Sequence, residues 1–402
     1  MSHMRKKVLI IGGGYGGIRA ARALEKHPEL EVTLIDSHPY HYLQTDVYDF
    51  IANKTTITDI SVSLITLFYD SNVSFLQRKI TRIAPAQNKI ITACGEELSY
   101  DYLIIANGSR TFFPSFVEGL KEHAHGVKSI KRAFEFKLKF EEAIYKKVES
   151  EGSCSLNPDF NIVIGGGGLS GVEIAAAMAE YSQRFFAMSG YACGGISVYL
   201  IEASSDILNG LDGYLVEKSR KRLEKLGVNI ITGNKILKVE EHCVHLSNNM
   251  TIPMNFMIWT GGIEVRKIDG DGFEYNQRGQ LKVDECLRVK GFDNVFAIGD
   301  CAEIVNLDGK VLAPTAMLAE FSADIAAHNI IASKDGKNLK EVDFELPGVL
   351  VALGGYFTAG IIYGVKLSGF IGFLVKQMVS HMYKWPLTRQ CKKALAKSCH
   401  KG

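Results

Sequence analysis

The strongest constraint in this chain is a pattern that occurs twice: an apolar run, a glycine-rich turn, a helix-like stretch, and a second apolar run that ends in an acid. In the first copy, Lys7–Ile11 lacks polar alternation and is predicted as a buried strand. Gly12-Gly13-Gly14-Tyr15-Gly16-Gly17 follows, with Gly12, Gly14 and Gly17 on the G-x-G-x-x-G template. Residues 18–26 are predicted helical, and Val32–Ile35 is a second strand that ends at Asp36. Each position has a physical job. Gly12 permits a tight turn, Gly14 lets the backbone approach a pyrophosphate, and Gly17 lets the helix pack close to the strand. The helix start offers free N–H groups and a positive dipole end to phosphates. Asp36, 19 residues after Gly17, is placed to accept hydrogen bonds from ribose hydroxyls.

In the second copy, Asn161–Ile164 is the strand and Gly166, Gly168 and Gly171 take the template positions, because Val172 to Glu180 then continues as helix. Residues 182–195 read as an extension of that helix plus a loop, and Ser197–Ile201 is the next strand, ending at Glu202. A ribose 2′-hydroxyl favours an acid there, whereas a 2′-phosphate would be repelled by it, so Glu202 selects NADH over NADPH. Two further buried strands run into glycine turns: one into Ala106-Asn107-Gly108, the other into Gly299-Asp300. An Asp at the carboxyl end of a parallel strand is placed to bind a flavin's ribityl chain. The predicted fold is therefore α/β, with two Rossmann-like dinucleotide-binding domains, the first for FAD and the second for NADH.

The length, 402 residues, suits two or three cores. The expected division is 1–110 for the first part of the FAD domain, 111–157 for a connection and 158–265 for the NADH domain. The second part of the FAD domain follows at 266–345, and a C-terminal interface and membrane-anchoring region at 346–402. A net charge of +2 gives no reason to expect nucleic acid as a partner. The eight cysteines form no C-x-x-C pair, and no His/Cys set has zinc spacing, so no metal is expected. An apolar strand that begins almost at once leaves no secretory leader, and reduced thiols fit an intracellular protein.

The order of these parts resembles the two-dinucleotide-binding flavoprotein superfamily, in which an FAD fold is interrupted by a nicotinamide fold. Ala106-Asn107-Gly108 and Gly299-Asp300 match its strand ends around FAD, with Asn107 where Thr is more usual. Ile258-Trp259-Thr260-Gly261-Gly262 looks like the return strand of its nicotinamide domain, which puts Gly261 at the NADH. Within the superfamily the chain looks most like the type II NADH dehydrogenases, single-chain non-pumping NADH:quinone oxidoreductases. Tyr40-His41-Tyr42-Leu43-Gln44, Gly171-Val172-Glu173, Ala313-Pro314-Thr315-Ala316 and the segment from Leu350 through Lys376 carry that resemblance over nearly the whole chain.

The resemblance implies electron transfer from NADH through FAD to a membrane quinone. It places Glu173 near the nicotinamide–quinone contact, Lys376 at the flavin, Ala316 at the FAD, and Thr315, Met317 and Glu320 at the quinone. Glu173 is expected in the first turn of its helix, where the dipole favours its anion. Met317 replaces the family's Gln and cannot donate a hydrogen bond to a quinone carbonyl. Sulfide:quinone or another flavin-dependent quinone reduction is an alternative; the sulfide reaction needs a cysteine pair, for which Cys154 could stand as the first, but no cysteine lies between Cys301 and Cys391 to be the second. A soluble reductase of a small redox protein and an NADH-sensing flavoprotein scaffold are the other readings.

The end of the chain adds a location. After Glu345 there is no acidic residue, and Lys366, Lys376, Lys384, Arg389, Lys392, Lys393, Lys397 and Lys401 follow. Leu367, Phe370, Ile371, Leu374, Val375, Met378 and Met382 form one stripe of a helix over 367–383 that Trp385-Pro386 is expected to end. A second, basic helix is expected beyond it. Such a segment suits an anionic membrane surface, at the cytoplasmic face and without a spanning helix. A homodimer is compatible with the same surface.

Overall fold

The computed structural model describes residues 5–150, 160–189 and 196–399. Cys154, Cys193, Lys401 and the end of the loop expected over 182–195 lie outside them.

Two five-stranded parallel sheets organise the chain, and their layouts match. The first runs Val295–Ala297, Tyr102–Ile105, Lys6–Ile11, Leu30–Asp36, Val73–Gln77. The second runs Ala124–His125, Phe256–Trp259, Phe160–Gly165, Ile196–Ile201, Val228–Ile231. In each, the strand before the glycine turn is central. The acid-terminated strand lies on one side and the return strand on the other, so the strand order reverses about the central strand while all strands stay parallel. That reversal leaves a crevice at the carboxyl ends, where ligands of open α/β sheets bind. The strands are apolar without alternation because both faces are covered; Val8, Ile10, Leu34, Ile162, Ile164 and Leu200 are fully buried, and on one face of the second sheet Val163, Ile201 and Met257 pack against the antiparallel strands Ile236–Val239 and Cys243–Leu246.

Val295–Ala297 pairs with Tyr102–Ile105, so the chain returns to its first sheet after building the second. The segment between the sheets does more than connect. Ala124–His125 is the edge strand of the second sheet, and Phe136 and Phe140 of helix Ile130–Ser150 are buried beneath it.

The C-terminal region is a three-stranded antiparallel sheet, Gly348–Ala352, Thr358–Ile362 and Val365–Leu367, followed by helix Gly369–Cys399. This corrects the expected break at Trp385-Pro386: the helix runs through Pro386 as one 31-residue element. Proline removes one amide donor. Burial of Leu387 and Ala394 beyond it offsets that loss, and the Thr388 hydroxyl donates to the carbonyls of Lys384 and Trp385. The basic segment is thus docked rather than free. Lys384 pairs with Asp46 and Lys397 with Asp70, and Gln390 donates to the carbonyl of Leu67. Among the described residues, no helix is long and apolar enough to cross a membrane.

Candidate dinucleotide and redox sites

The two glycine turns repeat one geometry. Gly12 has φ +109° and Gly166 φ +108°, a region that side-chain-bearing residues avoid. A Cβ on Gly17 would lie 1.8 Å from the carbonyl oxygen of Gly12, and one on Gly171 would lie 1.8 Å from that of Gly166. The third glycine of each motif is therefore required by contact between helix and turn. The middle glycine faces the opposite situation: nothing lies within 4 Å of a Cβ built on Gly14 or Gly168. The first motif helix, Tyr15–Leu24, begins at Gly14 with no side-chain cap, which leaves its N–H groups for a ligand. It starts earlier than residue 18 because Gly16 and Gly17 belong to its first turn. Open space at the middle glycine and an uncapped helix start are what a bound pyrophosphate needs, so the residues present fit a dinucleotide.

Both acids are latched alike. Asp36 accepts from the N–H of Gly13 at 2.6 Å and of His38 at 2.7 Å. Glu202 accepts from the N–H of Gly167 at 2.5 Å and of Ser204 at 2.7 Å. Each carboxylate is thus held over its turn with lone pairs remaining. Burial works against the anion of Asp36, but its hydrogen bonds from His38 and Gly13 prevail and hold the carboxyl below its ordinary value.

The return strands close each cradle. Gly12 packs under the carbonyl of Ala106, and Gly166 packs under Gly261. The Thr260 hydroxyl donates to the carbonyls of Gly165 and Gly166. Gly108 has φ +64° and open space around it. Gly299, also at positive φ, donates its N–H to the Ser322 hydroxyl oxygen, and this packs the Gly299-Asp300 turn on helix Ala316–Lys334. Asp300 is not free. It accepts from Ser109 at 2.5 Å and from Lys128 at 3.2 Å. Lys128 was not singled out by sequence, because a lone lysine before a helix carries no pattern. Its tie to Asp300 spans 172 positions.

Glu173 and Lys376, 203 positions apart, meet at 2.5 Å. Glu173 lies in the second turn of helix Leu169–Ser189, not the first. Its charge is met by Lys376 and by the N–H of Ala352 at 2.9 Å rather than by the helix dipole. The Lys376 ammonium also sits 4.8 Å from the ring centre of Tyr48. Both side chains are largely buried, so this is an ion pair in a partly dry environment.

The residues assigned to the quinone sit at the start of the other long helix. Thr315 is its N-cap and accepts from the N–H of Leu318, which engages the hydroxyl oxygen. Ala316 and Met317 follow, and Glu320 is one turn on. The charge of Glu320 bears on Tyr15 and Tyr383, and that of Glu173 on Tyr48. Among the described contacts none joins Glu320 directly to the Glu173–Lys376 pair. The buried Tyr48 and the half-buried Tyr15 and Tyr383 occupy the region instead, and the Tyr383 hydroxyl shares a hydrogen bond with Nε2 of the buried His41 at 2.9 Å. The sequence singles out the segments of Tyr15 and His41 but gives no signal that Tyr383 joins them, since the three come from distant parts of the chain.

Burial pushes Glu320 up to about 7; Asp324 adds to the effect and Arg19 opposes it. The folded value lies above the unfolded one of 4.5. The folded protein then holds the extra proton, and stability falls as pH rises through the window from there to about 7. Glu320→Gln is expected to remove this slope and to gain about 1–2 kcal/mol over the wild type at pH 8. Thermal melts of both proteins at pH 5 and pH 8 read it directly; parallel slopes would show that Glu320 titrates normally.

Comparison with known proteins places these features. Residues 6–322 match the family described as pyridine nucleotide-disulphide oxidoreductase. Among curated relatives, the type II NADH:quinone oxidoreductase of Staphylococcus aureus (strain NCTC 8325 / PS 47) is 26% identical over 388 residues, covering 94% of this chain and 95% of its own. That of Staphylococcus saprophyticus subsp. saprophyticus is 25% identical over the same shares. Among solved structures, NDH2 from Plasmodium falciparum in complex with NADH superposes with a TM-score of 0.82 at 19% identity, covering 98% of each chain. The sulfide:quinone oxidoreductase of Aquifex aeolicus superposes at 0.80 and 20% identity, covering 96% of this chain and 92% of its own.

Proposed function

The chain belongs to the pyridine nucleotide-disulphide oxidoreductase family, and from that premise we propose that it is an FAD-dependent NADH:quinone oxidoreductase of the type II kind, acting at a membrane surface. One observation carries the reading: a single chain holds two matching cradles, each with an open middle glycine and an acid latched over the turn. The curated relatives, matched over nearly their full length, bear the same activity in their names.

FAD is assigned to the first sheet, where Gly12, Gly14, Gly17, Asp36, Ala106, Gly108, Gly299, Asp300 and Ala316 would hold it. NADH is assigned to the second, at Gly166, Gly168, Gly171, Glu202 and Gly261. A flavin held there would supply the redox chemistry, hydride acceptance from NADH and electron delivery to the quinone. The chain's own residues bind and orient. Glu202 receives the ribose hydroxyls of NADH and repels a 2′-phosphate. Lys376 holds positive charge beside the reacting region, and Glu173 balances it. Thr315, Met317 and Glu320 are assigned to the acceptor, with Met317 packing against an apolar ring.

The sulfide-oxidising alternative needs a reactive thiol. Cys301 does not offer one: it is fully enclosed and burial pushes its thiol up to about 12. Rapid mixing with NADH, NADPH or sulfide, followed by a menaquinone analogue, separates the readings. We expect NADH to reduce the flavin at least about tenfold faster than NADPH, and Glu202→Arg to narrow or reverse that ratio. Reduction by sulfide but not NADH would overturn the assignment.

Membrane contact rests on the C-terminal helix, which is inverted relative to an ordinary surface helix. Its polar side faces the protein: Lys376, Ser380, Tyr383 and Lys384 reach Glu173, Asp46 and His41. Its apolar side faces out, and Phe370, Ile371, Leu374, Met378, Met382 and Trp385 are each at least half exposed. An apolar stripe turned outward marks an interaction site. The exposed Arg389, Lys392 and Lys393 continue the helix and suit anionic headgroups at the cytoplasmic face. Serine at Ile371, Leu374 and Met378 together is expected to weaken flotation with anionic liposomes by about tenfold or more while NADH-dependent flavin reduction is retained. Undiminished flotation, with a dimer lost instead, would assign the stripe to a second copy of the chain.

A further inference from the structure

Sequence spacing gives no zinc pattern, but a hairpin in the second domain supplies one in space. Strands Ile236–Val239 and Cys243–Leu246 pair antiparallel, and the turn between them carries Glu240. Cys243 and His245 are two apart on one strand and so share a face. The Cys243 Sγ lies 3.3 Å from Glu240 Oε2 and 3.4 Å from His245 Nε2, and His245 Nε2 lies 3.4 Å from Glu240 Oε2. Donor atoms around a tetrahedral zinc-class ion, at ordinary Zn–S, Zn–N and Zn–O lengths, stand about 3.4–3.6 Å apart. The three side chains therefore already form one face of such a tetrahedron to within a few tenths of an ångström.

We propose that Glu240, Cys243 and His245 form a surface site for a zinc-class divalent cation, with water in the fourth position. The donor set of thiolate, imidazole and carboxylate is the borderline-soft combination that zinc takes. The surroundings orient each donor. His245 Nδ1 contacts the Thr251 hydroxyl at 3.1 Å; donating its proton there leaves the Nε2 lone pair for the metal. Lys238 holds the other oxygen, Glu240 Oε1, at 2.9 Å and leaves Oε2 turned inward. Without an ion the triangle is poorly served: with the imidazole proton on Nδ1, the Cys243 thiol carries the single proton among three facing donor atoms, and Nε2 and Oε2 meet lone pair to lone pair. A dipositive ion replaces that proton with three bonds, the thiol proton leaving to solvent. All three residues are partly exposed, so the ion has an entry path.

The test uses the flavin-loaded full-length protein. Alkylation of individual cysteines by N-ethylmaleimide is followed by peptide mass spectrometry, with and without Zn²⁺. Saturating Zn²⁺ is expected to slow modification of Cys243 at least tenfold and to leave the exposed Cys94 unchanged. His245→Gln and Glu240→Gln, both at the surface, are expected to abolish the protection. An unchanged Cys243 rate, or protection that survives both substitutions, would overturn the site.

Discussion

Gly171→Ala is expected to leave a yellow, FAD-loaded protein that NADH reduces about 100-fold or more slowly than the wild type. The added Cβ would fall 1.8 Å from the Gly166 carbonyl oxygen, a backbone atom that no rotamer change can move aside. The start of helix Leu169–Ser189 must then shift by more than an ångström from the turn. The N–H groups that would hold the pyrophosphate shift with it, and the nicotinamide loses its placement. The first cradle lies in a different sheet, so the flavin stays bound. Gly17→Ala makes the identical clash in the first cradle, at 1.8 Å from Gly12, and is expected to yield colourless protein instead. Flavin absorbance after purification and stopped-flow reduction by NADH distinguish the two outcomes. Wild-type reduction by the Gly171 variant would mean that the second turn does not hold NADH.

This contrast is legible in the sequence because its causes are local. Strand, turn, helix and acid lie within one βαβ unit: Gly17 and Gly171 answer to the turn carbonyl, Asp36 and Glu202 to N–H groups of the turn, and Gly12 and Gly166 to a positive φ. Gly12, Gly17 and Asp36 could therefore be assigned without coordinates, and so could their counterparts Gly166, Gly171 and Glu202. Contacts across long separations left no such trace. Lys128 reaches Asp300 over 172 positions, and nothing around Lys128 marks it. The C-terminal helix misled for a related reason. Trp385-Pro386 has the local signature of a helix end, yet burial of Leu387 and Ala394 carries the helix on. Its apolar stripe was visible, but which side faced the protein depended on Asp46, His41 and Glu173. The hairpin at 236–246 is the same lesson at shorter range: Glu240-x-x-Cys243-x-His245 has no zinc spacing until the turn folds it.

Lys376→Met is expected to destabilise the protein by about 2–4 kcal/mol and to slow turnover with quinone, whereas Glu173→Gln combined with Lys376→Met recovers most of the stability but not the turnover. Lys376 and Glu173 expose only 17% and 14% of their side chains. Removing the ammonium alone leaves a carboxylate with little water and one remaining donor, the N–H of Ala352. That residual charge is the main cost, because attraction lost between partners is partly repaid by the desolvation no longer incurred. Neutralising Glu173 as well removes the unpaired charge and keeps a carbonyl oxygen for Ala352, so the fold is largely restored. Turnover follows different logic. The pair joins the second-domain helix Leu169–Ser189 to the C-terminal helix and holds a cation over Tyr48, where the redox reaction is assigned. A methionine fills space there but carries no charge to stabilise the electron-rich intermediate state. Denaturant melts of the wild type, Lys376→Met, Glu173→Gln and the double variant give the coupling energy, and steady-state rates with a menaquinone analogue give the functional term. If the double variant regains both stability and turnover, the pair is a structural clasp alone. If it regains stability alone, the charge of Lys376 is part of the chemistry.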